Sequence, residues 1–335
     1  MSLNEFSLIK QFFTRQAQQS SVIKSVGDDC AILSVPHNQQ LVVSMDTLVA
    51  GRHFPESATS YQIATRAFCT SVSDLAAMGA TPLWFTLGLT LPSSDEQWLS
   101  QFSEGLFAAA KPFNMDLVGG DTTKGPLTIT VQAHGVVEQD CALQRDTAQI
   151  GDRVFVSGYL GDGAAALALL QHKITASDKL SDYLVSRFYS PMPQIALGQA
   201  IAPFTHAAID ISDGLLADAQ HIADASQVSL VVDVDRLPIH PSLHDAMQKG
   251  MLGYERDAVL SWALTGGDDY QLLFTVSESQ LPAVNALIED KLIHATDIGR
   301  VVAANAGEQY TVQCAMNGVP YSPSSQHRGY QHFTA

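Results

Sequence analysis

Apolar residues recur at two spacings along the chain, and the spacing predicts which segments are helices and which are strands. A repeat of three or four residues predicts helices, whereas short alternating or β-branched runs bounded by Gly, Pro or Asp predict strands. The predicted helices are 5–17, 61–78, 96–111, 164–170 and 215–225. The predicted strands are 30–35, 41–44, 83–91, 127–137, 153–157, 207–211, 229–234, 271–276 and 310–314. This mixture predicts an α/β fold (α+β mixed).

The apolar pattern lapses once, in a polar stretch over residues 138–151 near the middle of the chain. A chain of 335 residues is longer than one hydrophobic core usually supports. Domain boundaries fall in polar segments of this kind. We therefore predict two domains, residues 1–140 and residues 150–335.

Composition and charge exclude several classes of protein. With 46% hydrophobic and 16% charged residues, the chain is typical of a packed enzyme and not of a disordered protein. The net charge of −16 disfavours nucleic acid and anionic membranes as partners. There is no basic segment followed by an apolar run at the N-terminus, and no apolar run approaches the roughly 20 residues of a membrane span. We expect a cytoplasmic protein whose four scattered cysteines are reduced thiols.

A series of aspartates stands beside Gly, Ser or Thr, mostly where predicted strands end or predicted helices begin. Such positions line ligand clefts in α/β folds. Taken singly, each aspartate is better explained by a structural role, as a turn residue or as an acid that caps a helix or lies in its first turn. Five or more converging carboxylates would require a cation, because like charges 4 Å apart repel by about 4 kcal/mol at an effective dielectric of 20. The aspartates are Asp28, Asp29, Asp46, Asp74, Asp121, Asp210, Asp213, Asp268 and Asp269.

Magnesium is the expected cation, because it is held by a few carboxylates together with substrate phosphates. The chain contains neither a Gly-x-x-x-x-Gly-Lys-Ser/Thr loop nor a His-Arg-Asp catalytic loop. These are the signatures of the two commonest nucleotide sites. A nucleotide would therefore bind here in a different way.

Six motifs occur in the order seen in thiamine-monophosphate kinases, and the chain resembles that family over its whole length. They are Gly27-Asp28-Asp29-Cys30-Ala31, the segment 46–54 (Asp-Thr-Leu-Val-Ala-Gly-Arg-His-Phe), the segment 73–80 (Ser-Asp-Leu-Ala-Ala-Met-Gly-Ala), Gly119-Gly120-Asp121-Thr122-Thr123, Asp210-Ile211-Ser212-Asp213-Gly214-Leu215 and Gly266-Gly267-Asp268-Asp269-Tyr270. The segment 46–54 and the C-terminal segment 329–333 point to the thiamine branch of a superfamily that includes aminoimidazole ribonucleotide synthetase.

The resemblance implies a fold, an activity and a division of roles. The fold is the two-domain aminoimidazole ribonucleotide synthetase-like fold, with N-terminal domains that pair in a homodimer. Residues 1–140 would bind metal and ATP and form the dimer, and residues 150–335 would complete the nucleotide and substrate site. The activity is ATP-dependent phosphorylation of thiamine monophosphate to thiamine diphosphate by direct transfer of the γ-phosphate. No general acid or base is required, because the acceptor phosphate is already mostly dianionic at neutral pH.

The family pattern also implies roles for individual residues. Metal ligands would be Asp29, Ser44, Met45, Asp46, Asp74, Asp121, Asp210 and Asp213. ATP contacts would be Gly119, Gly120, Arg145 and Ser212, and substrate contacts would be His53, Asp268 and Tyr330. Two positions depart from the pattern. Position 45 is usually Thr, so Met45 can ligate only through its backbone carbonyl, and position 268 is usually Glu, so Asp268 is one methylene shorter.

Plainer explanations stay open for several residues. His53 and Arg145 are also consistent with an ordinary loop histidine and a solvated linker charge, and Tyr330 with an anchor for the C-terminal tail. The turn 158–163 is predicted to be structural. For the whole chain, the alternatives are another ATP-using enzyme of the same superfamily and a non-catalytic acidic protein that binds divalent metal.

Overall fold

The structure is a computed structural model, and it describes residues 4–249, 256–304, 309–323 and 329–330. The chain divides into two compact units. The N-terminal unit runs to Ala142 but leaves out Ala76–Gly79, and the C-terminal unit contains Ala76–Gly79 and the chain from Leu143 onward. None of the helices within the described ranges has the length and apolar content needed to cross a membrane.

The N-terminal unit is built on a four-stranded sheet. Its elements are α1 (Glu5–Leu8), a π-helical turn (Ile9–Phe13), β1 (Val22–Lys24), β2 (Ile32–Leu33), β3 (Gln39–Val49), α2 (Ser60–Ala77), β4 (Thr81–Leu91), α3 (Glu96–Ala110), β5 (Asp116–Lys124) and β6 (Thr128–Glu138). The strand order is β3-β6-β4-β5, and only β4 and β5 are parallel. Strands β1 and β2 form a separate antiparallel pair.

One face of the four-stranded sheet carries the core of this unit. Val131 and Ala133 of β6 and Phe85 and Leu87 of β4 are buried at alternate positions. Phe68 of α2 packs edge-on against Phe85, with ring centroids 5.1 Å apart. Since side chains alternate between the two faces of a strand, the residues paired with this row lie on the same face as α2.

The C-terminal unit is built on a seven-stranded sheet in the order β13-β12-β9-β11-β7-β10-β8, in which only β9 and β12 are parallel. Its elements are β7 (Arg153–Ser157), α4 (Asp162–Leu170), α5 (Asp178–Tyr189), α6 (Ile195–Ile201), β8 (Ala208–Asp210), α7 (Leu215–Ser226), β9 (Ser229–Asp233), α8 (Pro241–Gln248), α9 (Arg256–Thr265), β10 (Leu272–Val276), α10 (Leu281–Glu289), β11 (Ala295–Val302), β12 (Val312–Met316) and β13 (Val319–Tyr321). Its core joins α7 and α9 to the apolar residues of the sheet.

Most predicted elements are present, and the differences concern their ends and the less periodic segments. The predicted helix 5–17 is regular only to Leu8 and continues as the π-helical turn, and the predicted strand 30–35 is ordered as a strand only over Ile32–Leu33. The predicted strand 41–44 extends over Gln39–Val49, because it pairs with β6 along its whole length. The apolar pattern did not predict β1, β5, α5, α6, α8, α9, α10, β11 and β13.

Candidate active site

Strand β3 and helix α2 bring together three predicted metal ligands. Ser44 and Asp46 lie opposite the buried residues Ala133 and Val131, so they share the face of the sheet that α2 covers. The hydroxyl of Ser44 donates a hydrogen bond to the carboxylate of Asp74 on α2. All three are half-buried. Asp74 lies near the end of α2, so its explanation as an acid in the first turn of a helix is wrong.

Met45 lies between these ligands in sequence, but its side chain is on the other face of β3. This side chain is 60% exposed. The thioether points away from Ser44 and Asp46 and contains no oxygen, so only the backbone carbonyl of Met45 can contribute oxygen at that site.

Asp121 lies within β5, which also carries Gly119 and Gly120. The residue is exposed and pairs with Gly88 of β4, so its explanation as a turn residue is wrong. Gly120 is required by close packing, because a Cβ atom there would lie 2.0 Å from the carbonyl oxygen of Leu87.

Asp29 lies in the exposed loop between β1 and β2, next to Asp28. Asp28 forms an ion pair with Lys24, with Nζ 2.5 Å from Oδ2. The Lys24 hydrogen bond, followed by the backbone N–H of Asp29, lowers the pKa of Asp28. Asp28 therefore has a cationic partner of its own. The acid of this motif that the family pattern assigns to metal is Asp29.

His53 has a defined tautomer. Its Nδ1 accepts a hydrogen bond from the backbone N–H of Val49, at 2.9 Å, so the neutral ring carries its proton on Nε2. The carbonyl of His53 accepts from Nε of the buried Arg66 of α2, at 2.9 Å. This half-buried histidine is therefore held by contacts with β3 and α2, and its role in the substrate pocket stays a prediction.

In the C-terminal unit, backbone hydrogen bonds join three segments that carry predicted site residues. The N–H of Asp268 donates to the carbonyl of Ser212, at 2.9 Å, and the N–H of Tyr330 donates to the carbonyl of Asp213, at 3.1 Å. The N–H of Tyr270 donates to the carbonyl of Ile211, at 2.8 Å. The loop after β8, the loop before β10 and the described part of the C-terminal tail therefore meet at the start of α7.

The loop before β10 has an unusual backbone. Asp268 and Tyr270 both have positive φ, at 70° and 48°. Such values are uncommon outside glycine, and Asp and Asn tolerate them better than most residues. The hydroxyl of Tyr270 lies 3.3 Å from Oδ1 of Asp268. Backbone conformations of this kind concentrate at functional sites, and the assignment of Asp268 to the substrate pocket stays a prediction.

Asp218 is a buried acid beside the predicted site residues Ser212 and Asp213, and the sequence pattern did not single it out. It lies on α7, is 3% exposed and accepts hydrogen bonds through Oδ2 from three consecutive backbone N–H groups. Burial, and secondly the charge of Asp213, raise its pKa to about 7 despite these hydrogen bonds. The only signal in the sequence is an acid one turn into the helix that follows Ser212-Asp213-Gly214.

Asp269, like Asp218, is a buried acid that binds backbone N–H groups, here those of the Gly-rich turn 158–163. Its carboxylate accepts from the backbone N–H groups of Gly161, at 2.7 Å, and Gly163, at 3.0 Å. Burial, and secondly the charge of Asp162, raise its pKa to about 8. Because two N–H groups of the turn are bound to Asp269, the turn has the structural role that was predicted for it.

A cluster of polar side chains surrounds this pair of acids. Asp162 is 1% exposed, and the hydroxyl of Tyr183 donates to its Oδ2. Nε of Arg187 lies 3.8 Å from the same oxygen. Burial raises the pKa of Asp162, although Tyr183 and Arg187 act in the opposite direction.

Asp210 and Arg145 are the other predicted site residues of the C-terminal unit. Asp210 is the last residue of β8 and is buried. Arg145 is exposed, and its carbonyl accepts from Oγ of Ser226 at 2.8 Å. Residues 331–333 of the predicted C-terminal motif lie outside the described residues.

The predicted metal ligands divide between the two units, with six in the N-terminal unit and Asp210 and Asp213 in the C-terminal unit. Over the described part of the chain, no group of three or more His, Cys, Asp or Glu side chains is arranged so that it could hold a metal ion. The magnesium set therefore stays a prediction. Cys30, Cys69, Cys141 and Cys314 form no disulfide, and burial raises the pKa of Cys69 to about 12.

Comparisons with known proteins assign the chain to a family. The family model of the AIR synthase related protein, N-terminal domain, matches residues 27–137, and that of the C-terminal domain matches residues 149–310. The thiamine-monophosphate kinase of Salmonella typhimurium is 42% identical over 335 residues, which cover 99% of each chain.

Solved structures agree with this assignment. The crystal structure of thiamine-monophosphate kinase from Stenotrophomonas maltophilia is 41% identical, with a TM-score of 0.83 over 96% of this chain and 99% of that chain. The structure of AaThiL complexed with AMPPCP and TMP is 31% identical, with a TM-score of 0.76 over 92% of each chain. Fold and motifs thus define an AIR synthase related protein with both of its domains. Within that class, the chain belongs to the thiamine-monophosphate kinase family.

Proposed function

We propose that this chain transfers the γ-phosphate of ATP directly to thiamine monophosphate, which yields thiamine diphosphate and ADP. The names of the full-length relatives support this activity. The structure of AaThiL with AMPPCP, an ATP analogue, and TMP supports a site in which both substrates are bound at once. A site for both substrates at once favours direct transfer over a phosphoenzyme.

The observation that carries the proposal is the meeting of three segments at the start of α7. Ser212, assigned to ATP, holds the backbone of Asp268, assigned to thiamine monophosphate, through a hydrogen bond of 2.9 Å. Asp213, assigned to metal, holds the backbone of Tyr330, assigned to the substrate, through one of 3.1 Å. Residues that the family pattern gives to nucleotide, metal and acceptor are therefore neighbours within one unit.

The chemistry of the acceptor explains why the site contains no obvious general base. The second pKa of a phosphate monoester is about 6, so the acceptor is mostly dianionic at neutral pH and needs no proton removed. The protein must instead hold the γ-phosphate of ATP and the phosphate of thiamine monophosphate in line. In this proposal the aspartates bind metal cations and do not transfer protons.

Magnesium fits the donor set, because every predicted ligand offers oxygen and hard cations prefer oxygen. In the N-terminal unit, Ser44 and Asp74 are in direct contact and Asp46 lies on the same face of the sheet. The residues that would hold the ions are Asp29, Ser44, the carbonyl of Met45, Asp46, Asp74, Asp121, Asp210 and Asp213. Bound magnesium would supply neutralisation of phosphate charge during transfer.

The two substrates would be recognised by different groups. The backbone of Gly119 and Gly120, the guanidinium of Arg145 and Ser212 would bind ATP. His53 would donate a hydrogen bond from its Nε2–H to the phosphate of thiamine monophosphate, since its Nδ1 already accepts from Val49. Asp268 would recognise the cationic part of the substrate, and Tyr330, which is 42% exposed, would offer an aromatic face to a cationic ring.

A homodimer is part of the same proposal. Strand β3 is an edge strand, and its outer face carries an exposed apolar row. The row consists of Leu41 (46% exposed), Val43 (49%), Met45 (60%) and Val49 (37%). An exposed apolar edge strand favours pairing with another chain, and a second copy of this domain is the partner that the family pattern implies. Val43→Lys should convert the dimer into a monomer in light scattering, whereas a mass unchanged by the substitution would reject this face.

We also propose a cytoplasmic location, where thiols stay reduced. Four cysteines that form no disulfide suit that compartment.

The activity is tested by incubating the purified chain with magnesium, thiamine monophosphate and ATP labelled with ¹⁸O in the γ-phosphate. Mass spectrometry should find thiamine diphosphate with the label in its terminal phosphate, together with ADP. AMPPCP in place of ATP is the control and should give no product. ATP hydrolysis without thiamine diphosphate would favour another enzyme of the superfamily, and metal binding without any turnover would favour a non-catalytic metal-binding protein.

A further inference from the structure

We propose that Asp218 is a positioning residue, whose carboxylate fixes the loop 212–214 so that its carbonyls hold the segments that bear Asp268 and Tyr330. This inference rests on the proposed function, because its effect is measured on the two substrates. Nothing in the family pattern used above assigns a role to Asp218.

The first step is the geometry at the carboxylate. Oδ2 of Asp218 accepts from the N–H groups of Ser212 at 3.1 Å, Asp213 at 3.1 Å and Gly214 at 3.0 Å. The side chain is buried. A helix N-terminus with converging N–H groups is a ready site for an anion. Here the anion is the protein's own carboxylate, so this N-terminus is not available to a substrate phosphate.

The second step follows from the planarity of the peptide bond. In a trans peptide the N–H and the preceding C=O point in opposite directions. When the N–H groups of Asp213 and Gly214 point at Asp218, the carbonyls of Ser212 and Asp213 must point away from it. These two carbonyls are the ones that accept from the N–H groups of Asp268 and Tyr330. One buried carboxylate therefore orients both acceptors.

The third step is the close packing of the loop before β10 against the loop 212–214. A Cβ atom on Gly267 would lie 2.5 Å from the carbonyl oxygen of Ser212, and one on Gly214 would lie 2.9 Å from the carbonyl of Thr265. The loop before β10 thus packs directly against the loop 212–214. A rotation of the Ser212 or Asp213 peptide would displace Asp268 and not be absorbed locally.

The experiment compares Asp218→Ala and Asp218→Asn with the matched pair Asp224→Ala and Asp224→Asn. Asp224 lies on the same helix, is exposed and accepts only a surface hydrogen bond from Gln220, at 2.9 Å, among the side-chain contacts described. Calorimetry measures the Kd of AMPPCP with magnesium and the Kd of thiamine monophosphate. Steady-state kinetics gives both KM values, and all measurements are made well below the melting temperature of each variant.

For Asp218→Ala we expect the Kd and KM of both substrates to rise by about tenfold or more, because three hydrogen bonds to the carboxyl group are lost and the loop it holds also carries Ser212, which is assigned to ATP. Asp218→Asn keeps an acceptor oxygen without the charge, so a smaller rise of about threefold is expected. The Asp224 variants should bind both substrates like the parent. A merely structural role would lower the melting temperature but leave the Kd values of the folded protein unchanged.

The proposal is overturned if both Asp218 variants bind thiamine monophosphate within about twofold of the parent. If Asp218→Ala does not fold, Asp218→Asn decides the outcome by the same criterion. Loss of the proposed function itself is distinguishable, since the parent chain would then form no thiamine diphosphate while the calorimetric comparison still reports on Asp218.

Discussion

The hydroxyl of Ser44, on strand β3, donates a hydrogen bond to the carboxylate of Asp74, on helix α2. The two residues are 30 positions apart in sequence, and the contact places two oxygen donors side by side on the covered face of the sheet. Asp46 lies two residues further along the same face of β3. This contact joins two of the predicted ligands in the N-terminal unit, and it identifies Asp74 as the residue to test first.

Asp74→Asn should reduce kcat by about a hundredfold or more, equivalent to roughly 3 kcal/mol of transition-state stabilisation, because a negative ligand for the metal ions at the reacting phosphates is lost. Asp121→Asn should have a similar effect. The control is Asp95→Ala, which removes the side chain that caps α3 at Trp98. It should lower the melting temperature and leave kcat unchanged. If Asp121→Asn retains most of its turnover, Asp121 has no role in phosphate transfer.

Removal of divalent metal should abolish phosphate transfer. With a chelator in excess, no thiamine diphosphate should form, because the charge between ATP and the acceptor phosphate is no longer neutralised. Magnesium should restore the rate, and calcium should restore it poorly, since its larger and less regular coordination misplaces the phosphates. Product formation is followed by chromatography. Full activity in chelator would contradict the assignment of the aspartates to metal.

Asp268→Asn is the sharpest test of the substrate pocket. Asn tolerates the positive φ at this position, so the substitution removes the charge without the backbone strain that Ala would add. The KM for thiamine monophosphate should rise by about tenfold to a hundredfold, as expected for loss of a charge-assisted hydrogen bond. The KM for ATP should change little.

Asp268→Ala, measured in parallel, shows how much backbone strain adds to this effect. Equal changes in both KM values for Asp268→Asn would reject the contact with thiamine monophosphate. Asp268→Glu restores the side-chain length usual in the family and should bind thiamine monophosphate at least as well as the parent.

Asp269 should make the stability of the protein decrease as pH rises. Its pKa is about 8 in the folded protein against a reference of 3.8, so the folded state keeps a proton that the unfolded state releases. The free energy of unfolding should therefore fall between about pH 4 and pH 8 and become level above that range. Asp162 and Arg187 face the same carboxyl, and the raised pKa of Asp162 contributes a slope of the same sign.

The measurement is the melting temperature against pH for the parent and for Asp269→Asn. The substitution keeps an acceptor for Gly161 and Gly163 but removes the titration, so the slope should become shallower without vanishing. An unchanged slope would show that Asp269 is charged throughout this range.

Gly163→Ala should displace the loop before β10, which carries Asp268. A Cβ atom there would lie 2.5 Å from the carbonyl oxygen of Asp268 and 2.6 Å from that of Gly267. We expect a loss of stability of about 1 to 3 kcal/mol, as for other overpacked positions, together with a raised KM for thiamine monophosphate. Gly88→Ala is the control, since its nearest new neighbour would be at 3.4 Å. A KM for thiamine monophosphate equal to that of the parent in Gly163→Ala would separate this loop from substrate binding.

The sequence alone was sufficient for the elements whose apolar pattern is local and regular. Helices α2 and α3 and strand β7 agree with their predicted bounds to within a residue, because a stripe of apolar residues or a short β-branched run reports which face is buried. The two-domain architecture and the family also follow from the order of the six motifs. The amphipathic helix α5 was overlooked although Leu180, Leu184 and Phe188 recur every four residues and are buried.

The tertiary structure alone decided which acids are structural and how they act. Asp269 belongs to one of the six motifs and Asp218 to none, yet each is buried against backbone N–H groups of a loop that carries or supports predicted site residues. Ser44 and Asp74 are joined only because β3 and α2 pack together. A hydrogen bond between distant segments depends on the position and direction of both groups in space. A one-dimensional pattern records residue types and spacing, so it identified the candidates but could not say which of them hold the others in place.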